Sequence, residues 1–349
     1  MTTVDPAPLN ESSEKIINND SSPQIESERY TRHSPLVTLL IMSIGPLNLL
    51  IQAIGESIDL ILVGKRFNKD PNSHAVEMIG FATSFFQIML YPGLFFGHAA
   101  VACGTNLIGA GDRKNTAHLF ADILRISLIF SIVYGIPIVF LIKPYMTFIG
   151  CPDYMIDPMF YFILPLAISS PLINWFSCSI SYLQMIGQSG LSALVKVLSY
   201  VLQCGLFTPL LLFAIKVPTS LIKLSTAFST SILAIIFLTL IFRGKFSLKV
   251  DIRLLLSKFT KYSYQSLILA SPTLLQFLCY VLPPMLILKS LTSVAKDQSK
   301  AIGGVFAVFN KIILIVTAVP GAVSSGYLSA ATHAYGANNI PRLIRLMLW

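Results

Sequence analysis

The sequence predicts an all-α membrane protein, and three observations carry that class: a strong apolar bias, scarce charge and eight apolar stretches of membrane-crossing length. Residues of the set AVILMFWYC make up 54% of the 349, charged residues 12%, and mean hydropathy is +0.72. A soluble domain carries roughly 25% charged residues. A surface this apolar must face lipid or other helices, so the bilayer is the first partner. The net charge of +9 comes from Lys and Arg placed between apolar stretches, not along one face. That is the loop bias of a membrane protein and gives no nucleic-acid surface.

The first 34 residues are polar, rich in Asn, Ser and Glu, with no apolar signal core. They read as a disordered tail. Two N-x-S sequences, at Asn10 and Asn19, matter only if the tail lies outside. Crossing stretches follow at about 36–64, 78–108, 117–142, 158–186, 190–215, 219–242, 262–289 and 301–331. Each exceeds the roughly 20 residues a bilayer needs, and several imply tilt. The breaks carry turn chemistry: Gly109-Ala-Gly-Asp-Arg-Lys114, Gly150-Cys-Pro-Asp153, Gly187-Gln-Ser-Gly190 and Gly336-Ala-Asn-Asn339. A ninth stretch begins at Pro341.

The domains expected are a tail (1–34), an N-terminal six-helix bundle (35–243), a basic linker (244–261) and an incomplete second bundle (262–349). The linker's Lys and Arg, with Ile and Leu between them, suit either an amphipathic helix on the inner leaflet or a solvated connection. With Arg29, Arg32, Arg113, Lys114, Arg342 and Arg345, they put the N-terminus on the cytoplasmic side. Lys65, Arg66, Lys69, Lys143, Lys216, Lys223, Lys289, Lys296 and Lys300 then fall in outside loops. The five cysteines form no CxxC pair and read as small core residues, with no disulfide or metal set. No HExxH, GxSxG, P-loop or paired-histidine site occurs, so an enzyme is excluded and no cofactor is expected.

The helix order repeats. Gly80, Gly97 and Gly111 of the second stretch parallel Gly304, Gly321 and Gly336 of the eighth, the first two of each set seventeen apart. Pro46 of the first stretch falls near Pro272 of the seventh at a similar offset. Two copies in the same direction after six crossings imply pseudo-symmetric bundles, with an axis along the membrane normal and a cavity between them. A receptor has no need of that arrangement; a secondary transporter does.

Ionisable groups inside apolar stretches are costly and mark function by default. Asp59 is the strongest: burial favours its neutral form, which suits taking and releasing a proton. Glu56 lies three residues earlier on the same helix face. The two can share protons or hold sodium through oxygen ligands; alternatively, both reach the outer interface or an ion pair. Lys311 stands beside Asn310 at the repeat position of Gln87. It can bridge a carboxylate, bind an anionic substrate or reach the interface. An amine in the cavity weighs against a simple preference for cations. Gln52, Asn174, Gln184, Gln203, Thr208, Gln276, Tyr280, Asn310 and Lys311 are candidate cavity-lining groups, with interhelical hydrogen bonding the other job for such residues.

Gly45-Pro46, then Ser57-Ile-Asp-Leu-Ile-Leu-Val-Gly64, then Leu107-Ile-Gly-Ala-Gly-Asp-Arg-Lys114 and Leu183-Gln184 before Gly187 together resemble the multidrug and toxic compound extrusion (MATE) family. The resemblance covers residues 35 to 349. It implies two six-helix bundles, of which this chain supplies eight helices and the start of a ninth, and so a truncated gene product or fragment. It also implies an antiporter exporting organic cations and other xenobiotics for H+ or Na+, at the plasma membrane, coupled through Asp59. Aligned on Pro209, Cys204 and Thr208 stand where some members carry Asn and Asp, and Pro272–Pro284 has no acid where eukaryotic-type members carry Glu. Coupling is therefore expected at Asp59 and Glu56. A lipid-linked oligosaccharide flippase of the same superfamily is the alternative, although Arg125 is the one arginine within a predicted helix of the first bundle; an inactive truncated relative is the other.

Overall fold

The computed structural model describes residues 28–67, 74–294 and 299–348. Residues 1–27, with Asn10 and Asn19, and Lys69 and Lys296 lie outside them. Among the described residues every regular element is helical: α1 Pro35–Ile44, α2 Asn48–Phe67, α3 Ala75–Gly109, α4 Arg113–Phe148, α5 Asp153–Met185, α6 Ser189–Tyr200, α7 Leu224–Phe242, α8 Lys261–Leu269, α9 Ser271–Val294, α10 Ser299–Gly336 and α11 Ile340–Met347.

Among the described residues, seven spans are long and apolar enough to cross a membrane: α3, α4, α5, α6 with its continuation to Ile215, the Thr219–Phe242 span that contains α7, α8–α9 as one, and α10. The first predicted stretch is not continuous; Gly45-Pro46-Leu47 breaks it into α1 and α2. Proline lacks the donor that would continue the ladder. Gly45 also lets α1 approach α6, since a Cβ there would meet the Ser189 carbonyl and the Ser192 hydroxyl. Beyond Tyr200, α6 widens into π-helical turns over Val201–Phe207 and Leu210–Ile215, on either side of Pro209. Turns of this kind often accompany functional sites.

The repeat appears as a packed pair. α3 and α10 run parallel, with Gly80 against the Gly303 carbonyl at one end and Gly109 against Gly336 at the other. Thr105 and Thr332 share a hydroxyl hydrogen bond between them. The flanking turns match: Gly111 (φ +79°) and Asn338 (φ +54°) take the left-handed conformation, and Asp112 and Asn339 cap the next helix. These four pairs, from Thr105/Thr332 to Asp112/Asn339, are each 227 apart. That moves the register by two or three residues from the glycine reading: Gly111 corresponds to Asn338 and Gly336 to Gly109, while Lys311 corresponds to Ser84 rather than Gln87. Small residues are common in membrane helices, so glycine spacing alone left that slip open.

Residues 28–34, assigned by sequence to the polar tail, are tied down. Tyr30 is 1% exposed; its hydroxyl donates to the Gln184 and Met185 carbonyls at 2.8 and 3.0 Å, and its ring stacks on His333 at 4.3 Å. The basic linker also differs from both forms expected of it. Its helical content is a single 3-10 segment, Ile252–Leu256, with Leu248 and Val250 buried in the core. Arg125 donates to the Leu255 and Ser257 carbonyls at 3.1 and 2.6 Å and pairs with Asp122 at 3.1 Å. Asp122, fully buried, accepts from the Thr260 amide at 2.9 Å and the Ser263 hydroxyl at 2.6 Å. Asp122→Ala strands Arg125 and three further donors, at about 3–5 kcal/mol for a buried pair broken on one side. Thermal unfolding in detergent is expected to fall well below that of the parent, with Lys→Ala at exposed Lys258 as the control that does not move.

Candidate functional site

The carboxylates of α2 face inward because α2 lies between α6 and α10, with lipid on its remaining side, where Ile54, Ile58 and Ile61 are exposed. Gly55 makes this possible on the α6 side: a Cβ there would overlap the Tyr200 ring. Asp59 is 2% exposed. It accepts from Gln203 Nε2 and Thr208 Oγ1, both at 2.7 Å, with Cys204 Sγ at 3.8 Å. Gln203 and Thr208 are five apart, a spacing that the widened turn of α6 brings to one face. Lys223 Nζ lies 3.9 Å from Oδ2, the oxygen that also accepts from Gln203, and over the Phe86 ring at 5.0 Å.

Glu56 accepts from Gln52 Nε2 at 2.8 Å and is bound directly by Lys311 Nζ. Lys311 comes from α10, so this ion pair ties the two halves of the repeat. The Asp59–Lys223 pair lies wholly on the N-terminal side. Two carboxylates thus each hold one amine, at a depth where an unpaired charge is costly.

A third amine, Lys196 of α6, lines the space between these elements. Two contiguous cavities share Gln52, Leu90, Leu94, Ser177 and Lys196. The first reaches His98, Gln184, Gln276 and Tyr280; the second reaches Glu56, Tyr200, Gln203 and Lys223. Each holds about 70 Å³, well under the roughly 300 Å³ of a typical small-molecule pocket. α3 and α10 approach each other closely at both ends beside these cavities.

Of the groups picked from the sequence, Gln52, Gln184, Gln203, Gln276 and Tyr280 line the cavities, and Thr208 and Lys311 bind the carboxylates. Gln184 also donates to the Ser325 carbonyl at 3.3 Å, across to α10. Asn174 is buried behind them, donating to Ser131 Oγ at 2.6 Å. Asn310 lines a separate small recess with Gln87. Arg125 serves the linker. Sequence reasoning missed Lys196 and sent Lys223 to an outside loop; its inward turn after Pro218 depends on packing. Among the described residues no three His, Cys, Asp or Glu side chains gather to hold a metal ion.

Residues 47–207, the stretch that carries α2 through most of α6, match the MatE family model. Over that stretch the chain resembles the MATE family. Solved MATE structures share its fold at low identity. One, in complex with MaD3S, superposes with a TM-score of 0.76 at 17% identity, over 92% of this chain and 70% of its own. A MOP superfamily transporter from Pyrococcus furiosus, described by a binding pocket of reverse polarity, gives 0.79 at 16%, over 92% and 69%. An outward-facing multidrug resistance MATE transporter of the MOP superfamily gives 0.74 at 16%, over 92% and 70%. No curated protein sequence matches the chain. Its fold is similar to that of these multi-pass transporters, and seven helical spans among the described residues are long and apolar enough to cross a membrane.

Proposed function

We propose that this MATE transporter is a proton-coupled exchanger of small organic molecules, with Asp59 and Glu56 as its coupling carboxylates. The observation that carries the reading is the Glu56–Lys311 pair, which joins α2 to α10 across the two halves. A proton on Glu56 removes the charge that holds Lys311, so the tie weakens and the bundles are free to separate. A proton on Asp59 does the same to Lys223 and loosens the π-helical part of α6 that grips the carboxylate. Paired and protonated states then favour different packings, which is what coupled exchange requires. A proton suits these sites better than Na+, because an ammonium already stands where the metal ion would sit.

Export of organic cations is what the family resemblance implies. Phe86, Tyr91, Phe176, Tyr200 and Tyr280 around the cavities support flat ring systems as cargo. The MATE structures in complex with MaD3S and with Br-NRF support ligand binding in this fold. The N-terminus on the cytoplasmic side and a plasma-membrane location belong to the same reading. A flippase for an anionic lipid-linked substrate draws support from the amines, but Arg125 is committed to the linker.

In proteoliposomes, a pH gradient is expected to drive fluorescent substrate through the parent chain. Asp59→Asn is expected to lower that flux at least tenfold while leaving the protein folded. Undiminished gradient-driven flux in Asp59→Asn would remove Asp59 from the coupling role.

A further inference from the structure

Three amines, Lys196, Lys223 and Lys311, surround the cavities, against two carboxylates, Glu56 and Asp59. Lys311 is taken by Glu56 and Lys223 by Asp59. Lys196 has no salt bridge or hydrogen bond among the described residues. Its Nζ rests over the Tyr200 and Phe176 rings, at 5.5 and 5.6 Å. It lines both cavities, as Gln52 does. A charged amine inside a membrane protein is costly without an opposing charge, and ring faces compensate it only in part. Among the described residues, Glu56 and Asp59 are each engaged by another amine, and no third acid lines these cavities.

We propose that the transported substrate supplies that charge: it is an organic zwitterion or acid whose carboxylate, or other acidic group, sits on Lys196. The inference rests on the transport reading above and names its substrate class. It sets this chain apart from a simple cation exporter, whose cavity would present an excess of carboxylates. A zwitterion also accommodates exchange with protons. With its acidic group on Lys196, its cationic end falls toward Glu56 in the same cavity, where it competes with a proton for the carboxylate.

A rhodamine bearing a free carboxylate and its methyl ester test this directly, because they share one skeleton and differ in the acidic group. Binding to the purified full chain is expected to favour the free acid at least tenfold. Lys196→Gln is expected to abolish that preference, since a hydrogen bond to a charged group contributes about 1.5–3 kcal/mol and 1.4 kcal/mol is a factor of ten. Lys196→Arg is expected to keep it, which separates lost charge from lost folding. Binding of the ester alone, of both equally or of neither overturns the proposal, as does a preference that survives in Lys196→Gln. Failure of the coupling reading is seen separately, as gradient-driven flux of whichever dye is carried that persists in Asp59→Asn.

Discussion

Lys311→Ala is expected to destabilise the chain by about 3–5 kcal/mol and to abolish transport. The change leaves Glu56 between α2, α6 and α10 with only Gln52 as a donor. Removing one member of a buried ion pair costs more than removing both, because the survivor keeps its desolvation penalty without its partner. Glu56→Gln combined with Lys311→Gln is therefore expected to recover most of the lost stability. It does not restore transport, since neither amide can exchange a proton for an amine. A double-mutant cycle in detergent, read by thermal or chemical unfolding, is expected to give a coupling of about 2 kcal/mol or more, at the upper end for residues in contact. Additive losses would mean that the two halves are not joined through this pair.

The second large effect concerns the seam between α3 and α10. A Cβ on Gly80 would lie 1.9 Å from the Gly303 carbonyl oxygen, and one on Gly336 2.0 Å from the Asn106 carbonyl oxygen. Both clashes are with backbone, so no side-chain rotation relieves them. Gly80→Leu is expected to pry the seam open at the end where α3 begins, and Gly336→Leu at the end that holds Tyr30. Ser325→Cys, which places a thiol in the central cavity wall, then reports which side gives access. In sealed vesicles of known orientation, a membrane-impermeant thiol reagent is expected to label this position from opposite sides in the two glycine variants, above the background of the native cysteines. Both variants are expected to lose most transport, since each favours one state of a cycle that needs two. Equal labelling from both sides would contradict a seam that works as a pair of alternating contacts.

The sequence made some of this legible and not the rest, for physical reasons. Hydropathy alone delimits the crossings, because lipid tolerates no other pattern over twenty residues. Asp59 and Glu56 stood out because ionisable groups in such a stretch are rare, and their three-residue spacing gave a shared face. Lys223 did not stand out. It follows Pro218 at the very start of the 219–242 stretch, where it was counted with the outside loops, and only packing against Phe86 and Asp59 turns its amine inward. Lys196 sits inside an apolar stretch, yet without α2 and α10 in place there was no way to see that the acid in its cavity, Glu56, is already bound by Lys311. The linker's mixed apolar and basic residues looked amphipathic, but its course is set by buried Asp122 and by the carbonyls that Arg125 gathers from a distance in sequence. The split between α1 and α2 was announced by Gly45-Pro46, whereas the π-helical turns of α6 had no comparable signal beyond Pro209.

The central claim is that substrate and protons exchange through Asp59 and Glu56. The most direct measurement is the internal pH of proteoliposomes when substrate is added without any imposed gradient, using a trapped pH dye. Substrate entering the parent chain's vesicles is expected to drive protons out and raise the internal pH, with no such change in Asp59→Asn or Glu56→Gln. Substrate that accumulates in vesicles of the parent chain with no movement of protons would contradict the account.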